Sequence, residues 1–365
     1  MHVLMLTAAF FTSGQTAHVV HLARGLRRRG HGVDLLVTHA GSALRRARPY
    51  AQQLQAAGVR VLGIPRQPVA ADRLELPRQH YDVVHVQSSW SFEHGRRLAA
   101  RLNVPLVITC HGLGLNQPAY RPALEAAERL ICVGPRIAES LRPFREKVVV
   151  IGNGADLDLF RPGVREREFT ILYAGRVDRW KRPGVLALCQ AVDRLPEEVR
   201  FWVASNGRLP CRRAQHLGWV TGVHRLMSRA HVVIGTGCAI REGMAAGAAC
   251  LVLGREYHGI VTPEFLDSMA FPDFSGLGRD QGTPSPATIY RDLSLLYRDG
   301  TLLQQLMEFG RQYAERHFSL DAMVGATLDV YADAIAAQQR ATGAERTARR
   351  PVAARSGSRR PGRPA

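Results

Sequence analysis

The stretch Phe169-Thr170-Ile171-Leu172-Tyr173-Ala174-Gly175-Arg176-Val177-Asp178-Arg179-Trp180-Lys181-Arg182-Pro183 decides the fold. Its first six residues are an apolar run of strand length, Gly175 ends the run, and Pro183 opens a helical pattern that lasts to Arg194. A strand that empties through a glycine-bearing loop into a helix is one unit of a parallel sheet covered by helices. The unit recurs in both directions. Upstream, strands are expected at His2 to Thr7, Gly32 to Thr38, Val59 to Gly63, Val83 to Val86, Leu106 to Thr109, Arg129 to Val133 and Lys147 to Ile151, with helices notably at Ala17 to Arg29 and Phe92 to Leu102. Downstream come strands at Val199 to Ala204, His231 to Ile234 and Cys250 to Leu253, a helix through Arg241 to Ala246, and helical patterns from Pro286 to about Gln338. The alternation is interrupted at Phe160-Arg161-Pro162-Gly163, so the expected fold class is α/β, with two doubly wound halves facing across a cleft.

The decisive stretch also carries chemistry. Arg176 and Lys181 stand where a strand ends and the free amides of a helix begin, which is an anion site by position as well as by charge. A diphosphate fits it, because Arg offers a fork of donors and Lys a mobile point charge. A solvated basic turn is the plain alternative. A second loop of the same kind runs Gly235-Thr236-Gly237-Cys238-Ala239-Ile240-Arg241-Glu242-Gly243. Gly235 and Gly237 would let backbone amides approach a ligand, and Glu242 would accept the hydroxyls of a ribose. A carboxylate steadied by the helix N-terminus is the alternative for Glu242. His111 follows the strand Leu106 to Thr109 at the mouth of the first sheet and is a candidate to touch a ligand in the cleft.

These residues together resemble glycosyltransferase family 4. Gly175 to Lys181 is similar to the family's GRLxxxKG signature, and Glu242 to Gly247, EGMAAG, to its EAMAAG. The stretch from Val150 to Pro162 resembles its interdomain PNGVDxxxFxP, and Ala17 to Thr38 its first βαβ unit. The resemblance spans roughly residues 1 to 335. It implies the GT-B fold: a Rossmann-like acceptor-side domain over residues 1–160, a nucleotide-sugar domain over 161–315, and a C-terminal helix over 316–338 returning to the first domain. It further implies transfer from a nucleoside-diphosphate sugar with retention of anomeric configuration and with no cofactor or metal, Arg176 and Lys181 neutralising the leaving diphosphate. His111 matches the family's active-site histidine, which orients the donor sugar. Gly14 and Gln15 occupy the place of the family's glycine pair in the first loop, and Gln15 departs from it, implying a different loop shape or a side-chain amide in place of a backbone contact. The first of the family's two paired glutamates is also missing, since Ile234 stands eight positions before Glu242. Either the amides of Gly235 to Gly237 replace it, or Glu264 does, from a loop that resembles the family's GGxPE. That gap keeps open a catalytically degenerate protein, and the fold keeps open a nucleotide-sugar epimerase.

Composition narrows the rest. A chain of 365 residues with 46% apolar and 22% charged residues is globular and large enough for two cores. The longest apolar runs, Val3 to Phe11 and Val104 to Cys110, fall far short of the roughly 20 residues that span a bilayer, and the first has no basic flank of a signal peptide. The six cysteines lie singly along the chain, which points to neither zinc nor a disulfide framework and suits a reducing cytoplasm. Asp156-Leu157-Asp158 spells a metal-binding DxD of another glycosyltransferase fold, but it lies in the interdomain stretch and no metal role is expected. Of 49 basic residues only Lys147 and Lys181 are lysines, and the formal charge is +18. Residues 339–365, rich in arginine and poor in large apolar side chains, are expected to be a disordered tail. Arg24, Arg27, Arg28 and Arg29, with Arg45, Arg46 and Arg48, form a basic surface that admits peripheral contact with an anionic membrane and hence a lipid acceptor. The acceptor itself is not identified; a lipid, a glycan or a small metabolite all suit the cleft. A basic nucleic-acid-binding protein is the competing class, but the arginines are not interleaved with aromatics and no nucleic-acid-binding motif occurs.

Overall fold

The computed structural model describes residues 1–10, 13–39, 44–63, 75–278 and 284–348, with 44–48 and 342–348 described as backbone only. The first half contains seven strands: β1 (His2–Thr7), β2 (Gly32–Val37), β3 (Arg60–Gly63), β4 (Val83–Val86), β5 (Leu106–Cys110), β6 (Arg129–Cys132) and β7 (Val148–Val150). They form one parallel sheet in the order β3-β2-β1-β4-β5-β6-β7. Helices α1 (Gly14–Arg28), α2 (Leu44–Ala56), α3 (Phe92–Leu102), α4 (Arg121–Ala126) and α5 (Pro135–Ser140) make the crossovers. The second half holds β8 (Thr170–Ala174), β9 (Arg200–Ala204), β10 (Ala214–His216), β11 (Val232–Gly235), β12 (Ala249–Leu253) and β13 (Tyr257–Ile260), ordered β10-β9-β8-β11-β12-β13. Its helices are α6 (Arg182–Val192), α7 (His224–Met227), α8 (Cys238–Ala245), α9 (Pro263–Asp267), α10 (Pro286–Arg298), α11 (Gly300–His317) and α12 (Leu320–Ala348).

Both sheets are buried on both faces, which is why their strands read as apolar runs rather than as alternations. In each sheet the strand order reverses once, between β1 and β4 in the first and between β8 and β11 in the second. A crevice opens beyond the carboxyl ends of the strands at such a reversal. The loops after β1, β4, β8 and β11 are therefore the ones that can meet a shared ligand.

The chain crosses between the halves twice, and the two crossings run side by side. Ala155 bonds through its N–H to the Phe318 carbonyl at 2.7 Å and through its carbonyl to the Leu320 N–H at 3.0 Å. Helix α12 then lies on the first half, where Leu320, Met323, Val324 and Tyr331 join the core with Val19, Leu22 and Leu26 of α1. Gly25 makes that contact close, since a Cβ there would stand 2.5 Å from a Val324 methyl.

Two expectations are corrected. Strands β10 and β13 were not anticipated; each is short, and Ala-Gln-His and Tyr-His-Gly-Ile carry no sustained apolar signal, so only pairing with β9 and β12 makes them strands. The helix α12 continues to Ala348, so residues 339–348 are not part of a disordered tail; Ala, Gln, Glu and Arg favour helix without burial. The tail from 349 to 365 lies outside the described residues. Four of the six cysteines, although scattered in sequence, meet in space as Cys110 with Cys132 and Cys189 with Cys211, all as free thiols.

The arginine cluster at the end of α1 is largely occupied internally. Arg27 donates to the His31 carbonyl at 2.9 Å, Arg28 pairs with Asp156 at 3.2 Å, and Arg29 donates to the Asp321 carbonyl at 2.7 Å. The side chains of Arg45, Arg46 and Arg48 lie outside the described residues. Among the described residues no helix is long and apolar enough to cross a membrane.

Candidate functional site

A cleft of about 1170 Å³ lies between the halves, lined from one side by α1 and α2 and from the other by the loops after β8 and β11 and by the segment Trp219–Arg225. Helix α1 starts at Gly14, behind a Ser13 cap that accepts from the Thr16 N–H. Helix α8 starts after Gly237, whose φ of +59° only glycine holds without strain. The two helix starts face each other, with Cys238 Sγ 4.0 Å from the Gly14 carbonyl oxygen. Two N-terminal dipoles pointing into one cleft favour negative charge there.

Arg176 and Lys181 line the same cleft. The Lys181 ammonium donates to Thr236 Oγ1 at 2.7 Å and so bridges the loops after β8 and β11. Burial depresses its ionisation, Asp178 opposes that, and Arg176 adds to it, so an arriving anion would relieve the strain of two neighbouring cations. The Arg176 guanidinium is 52% exposed and rests 3.3 Å from Asp178. Asp178 was not singled out from the sequence, yet it organises this loop. Its carboxylate also accepts the N–H groups of Trp180 and Lys181 at 3.0 and 3.1 Å, so it shapes the loop that carries both cations. An aspartate inside a Gly-Arg-x-Asp loop before a helix was the available signal.

Glu242 lines the cleft from the second turn of α8, is only 7% exposed, and its carboxyl makes no hydrogen bond to another described residue. Burial alone pushes its carboxyl up to about 8, so at neutral pH it is protonated. Opposite it stands Tyr50 of α2, whose phenol is raised by burial and by the Glu242 charge, while Trp219 offsets part of the rise. The Trp219 indole N–H donates to the Tyr50 hydroxyl at 2.8 Å, a bond from one half to the other across the cleft. No sequence signal connects two residues 169 positions apart.

His111 follows directly on β5 and is partly exposed, outside the set of residues that line this cleft. Its Nε2 is 2.9 Å from Gln87 Oε1, and its ring meets the His18 ring edge-on at 4.7 Å. Burial, then the neighbouring His18 and His85, hold it well below the ordinary histidine range, so it is neutral. Gln15 does not line the cleft either; its side-chain amide donates to the Gln87 carbonyl.

Neither expected substitute for the missing carboxylate reaches the cleft. Gly235 ends β11, where a Cβ would stand 2.5 Å from the Ala174 carbonyl oxygen, and the Gly237 N–H is taken by the Phe274 carbonyl at 2.8 Å. These glycines therefore serve close packing and a left-handed turn rather than an open amide cradle. Glu264 is exposed in the first turn of α9, beyond the Thr262 cap, and is not among the lining residues. Ile234 is 0% exposed within β11. The two carboxylates of the DxD look toward Arg28, Asp156 at 3.2 Å and the 96% exposed Asp158 at 3.8 Å. Among the described residues no group of three or more His, Cys, Asp or Glu side chains is arranged to hold a metal ion.

Comparison with known proteins agrees with this architecture. Residues 12–159 match the family described as Glycosyltransferase Family 4. The D-inositol 3-phosphate glycosyltransferase of Xylanimonas cellulosilytica is 27% identical over 88% of this chain and 92% of its own length. D-inositol 3-phosphate glycosyltransferase 1 of Catenulispora acidiphila is 30% identical over 47% of this chain and 51% of its own. Among solved structures, the Anabaena protein Alr3699/HepE in complex with UDP-glucose superposes with a TM-score of 0.68 at 16% identity, covering 90% of this chain and 99% of that one, a likeness of fold. Two facing doubly wound halves, a match to glycosyltransferase family 4 over most of the first half and the likeness to a glycosyltransferase along most of the chain lead to one conclusion: the protein is a glycosyltransferase of GT-B fold, similar to family 4 in its first half.

Proposed function

We propose that the protein transfers a glycosyl group from a nucleoside-diphosphate sugar to an acceptor held by the first half, with retention of anomeric configuration and without a metal. The observation that carries this reading is the convergence of Arg176 and Lys181 with the N-termini of α1 and α8 on one cleft. Fixed cations and helix amides act on the charge that builds on the leaving diphosphate as the glycosidic carbon–oxygen bond breaks. Glu242, unbonded and buried, is the group left to take the ribose hydroxyls once a nucleoside fills the space beside it. With no carboxylate at position 234, orientation of the sugar is assigned to the first half, and to His111 through its match to the family's active-site histidine.

A panel of nucleotide-sugars, assayed for nucleoside-diphosphate release with and without EDTA, tests the reading. One sugar nucleotide should be turned over at equal rate in both conditions, and the anomeric proton of the product should keep the donor's configuration. Because the relatives are named for D-inositol 3-phosphate, that compound is the first small acceptor to supply. Conversion of the donor sugar with no acceptor consumed would favour an epimerase instead, and salt-dependent retention on DNA without turnover would favour the nucleic-acid class.

A further inference from the structure

The ends of β4 and β5 hold two imidazoles and one amide in a connected cluster, with the His18 ring of α1 edge-on to His111. His85 is fully enclosed, with Nδ1 on the Tyr331 hydroxyl of α12 and Nε2 on the Thr109 hydroxyl at 2.7 Å. The amide nitrogen of Gln87 lies 3.1 and 3.2 Å from the two ring nitrogens of His85, over a ring whose in-plane partners are already set. The other end of that amide, the carbonyl oxygen, is the end that meets His111 Nε2. A carbonyl only accepts, so the proton of the neutral His111 ring is on Nε2. His111 Nδ1 is then a bare acceptor, and it makes no hydrogen bond to another described residue.

Resting on the transferase reading above, we propose that Gln87 is the positioning residue of His111: its side-chain carbonyl holds the imidazole as the Nε2–H tautomer and leaves Nδ1 to accept from a hydroxyl of the donor sugar, while Gln15 pins the Gln87 backbone from the first turn of α1. This accounts for the glutamine that departs from the family's glycine pair. Gln15 spends its amide on the Gln87 carbonyl, at the switch point between β1 and β4, and so fixes the strand end from which the histidine is held. The cluster has no carboxylate of its own. His18 and His85 are the titratable groups against His111, and both are pushed down by burial, to about 4 and about 3. A neutral amide in such a place selects a tautomer without drawing a second proton onto the ring, which a carboxylate would do.

The test reads the ring directly and needs no substrate. Long-range proton–nitrogen NMR of the full-length protein carrying nitrogen-15 histidine, with His111 assigned by its loss in His111→Gln, should show a protonated Nε2 and a bare Nδ1. In Gln87→Leu the tautomer ratio should move about fivefold toward Nδ1–H, as expected for one lost hydrogen bond. Gln87→Glu should restore the Nε2–H form and raise the pH at which the ring takes its second proton. Gln15→Ala should give a partial shift in the same direction as Gln87→Leu, with the amide itself intact, which guards against misreading a folding defect. A wild-type proton on Nδ1, or a His111 spectrum indifferent to Gln87→Leu in a folded protein, overturns the proposal. With the sugar nucleotide found by the panel, Gln87→Leu should lower kcat about tenfold at unchanged donor KM, and Gln87→Glu should recover the rate only above its raised titration midpoint; full kcat in Gln87→Leu would overturn the functional half. Failure of every sugar nucleotide to turn over would instead sink the transferase reading, and the ring spectrum would still judge the positioning claim.

Discussion

Glu242→Gln is the sharpest perturbation, because a single buried carboxyl with no partner ties stability to pH in a predictable direction. Its folded value, about 8, is raised from an ordinary 4.5. A raised value means that the native state holds the proton more tightly than the unfolded chain. The associated stability is fully present below pH 4.5 and is lost as pH rises through about 8. From these two values linkage gives a cost of about 1 kcal/mol at pH 5, about 3 at pH 7 and about 5 at pH 9, order-of-magnitude figures for one group. A glutamine cannot ionise and feels none of it. Urea unfolding followed through the transition of the second half should therefore show Glu242→Gln gaining on the wild type by about 4 kcal/mol between pH 5 and pH 9. Whatever constant offset the new amide brings cancels in that difference. Parallel pH profiles for the two proteins would refute the reasoning, because they would mean that the carboxylate ionises normally and is neither desolvated nor unpaired. The same arithmetic bears on ligand binding: ribose hydroxyls donating to the carboxylate favour its charged form, so a nucleoside diphosphate binding at pH 7 should release a proton from the wild type and not from Glu242→Gln, measurable by calorimetry in buffers of different ionisation enthalpy.

Lys181→Ala and Arg176→Ala should each lower turnover by roughly ten- to a thousandfold, about 1.4 to 4 kcal/mol of transition-state stabilisation, with thermal unfolding little changed; full activity in both would remove the leaving-group site from where it is drawn here. Gly25→Ala should destabilise the packing of α12 on α1 despite alanine's helix preference of about 1 kcal/mol, because the added methyl would stand 2.5 Å from the fully buried Val324. A Tm drop of about 2 to 4 °C in a thermal melt is expected, and a rise would show that the interface yields. Tyr50→Phe deletes the acceptor of the Trp219 indole and, at a net of about 1 kcal/mol, should speed amide exchange in residues 217–223 about fivefold in the empty protein, with no change in the core strands.

Much of this molecule was legible in one dimension because its decisive features are local. The strands β1 and β4 and the helix α3 were readable to the residue, since a fully buried strand is an unbroken apolar run and an amphipathic helix repeats its apolar face. Arg176, Lys181 and Glu242 could be singled out because a strand-to-helix loop tells where its side chains stand relative to the sheet. Features that depend on a distant partner were illegible. The strands β10 and β13 exist through their neighbours, and the Cys110–Cys132 contact exists because β5 and β6 align those two residues. The same holds for the stand-ins offered for the missing glutamate: Glu264 and the glycines were plausible by spacing, yet α9 turns Glu264 to solvent and Phe274 consumes the Gly237 amide.

The sequence alone thus determined the two α/β halves, the likeness to a glycosyltransferase family, and the cations and carboxyl that line the cleft, because all of these follow from short-range periodicity and from what a chain must do at the end of a strand. Tertiary structure alone decided that Tyr50 meets Trp219 across the cleft, that Asp178 shapes the cationic loop, and that the Gln15 amide bonds the Gln87 carbonyl. Those outcomes depend on which side chains are left without a partner once both cores have closed, and desolvation sets that balance only when the whole chain is folded.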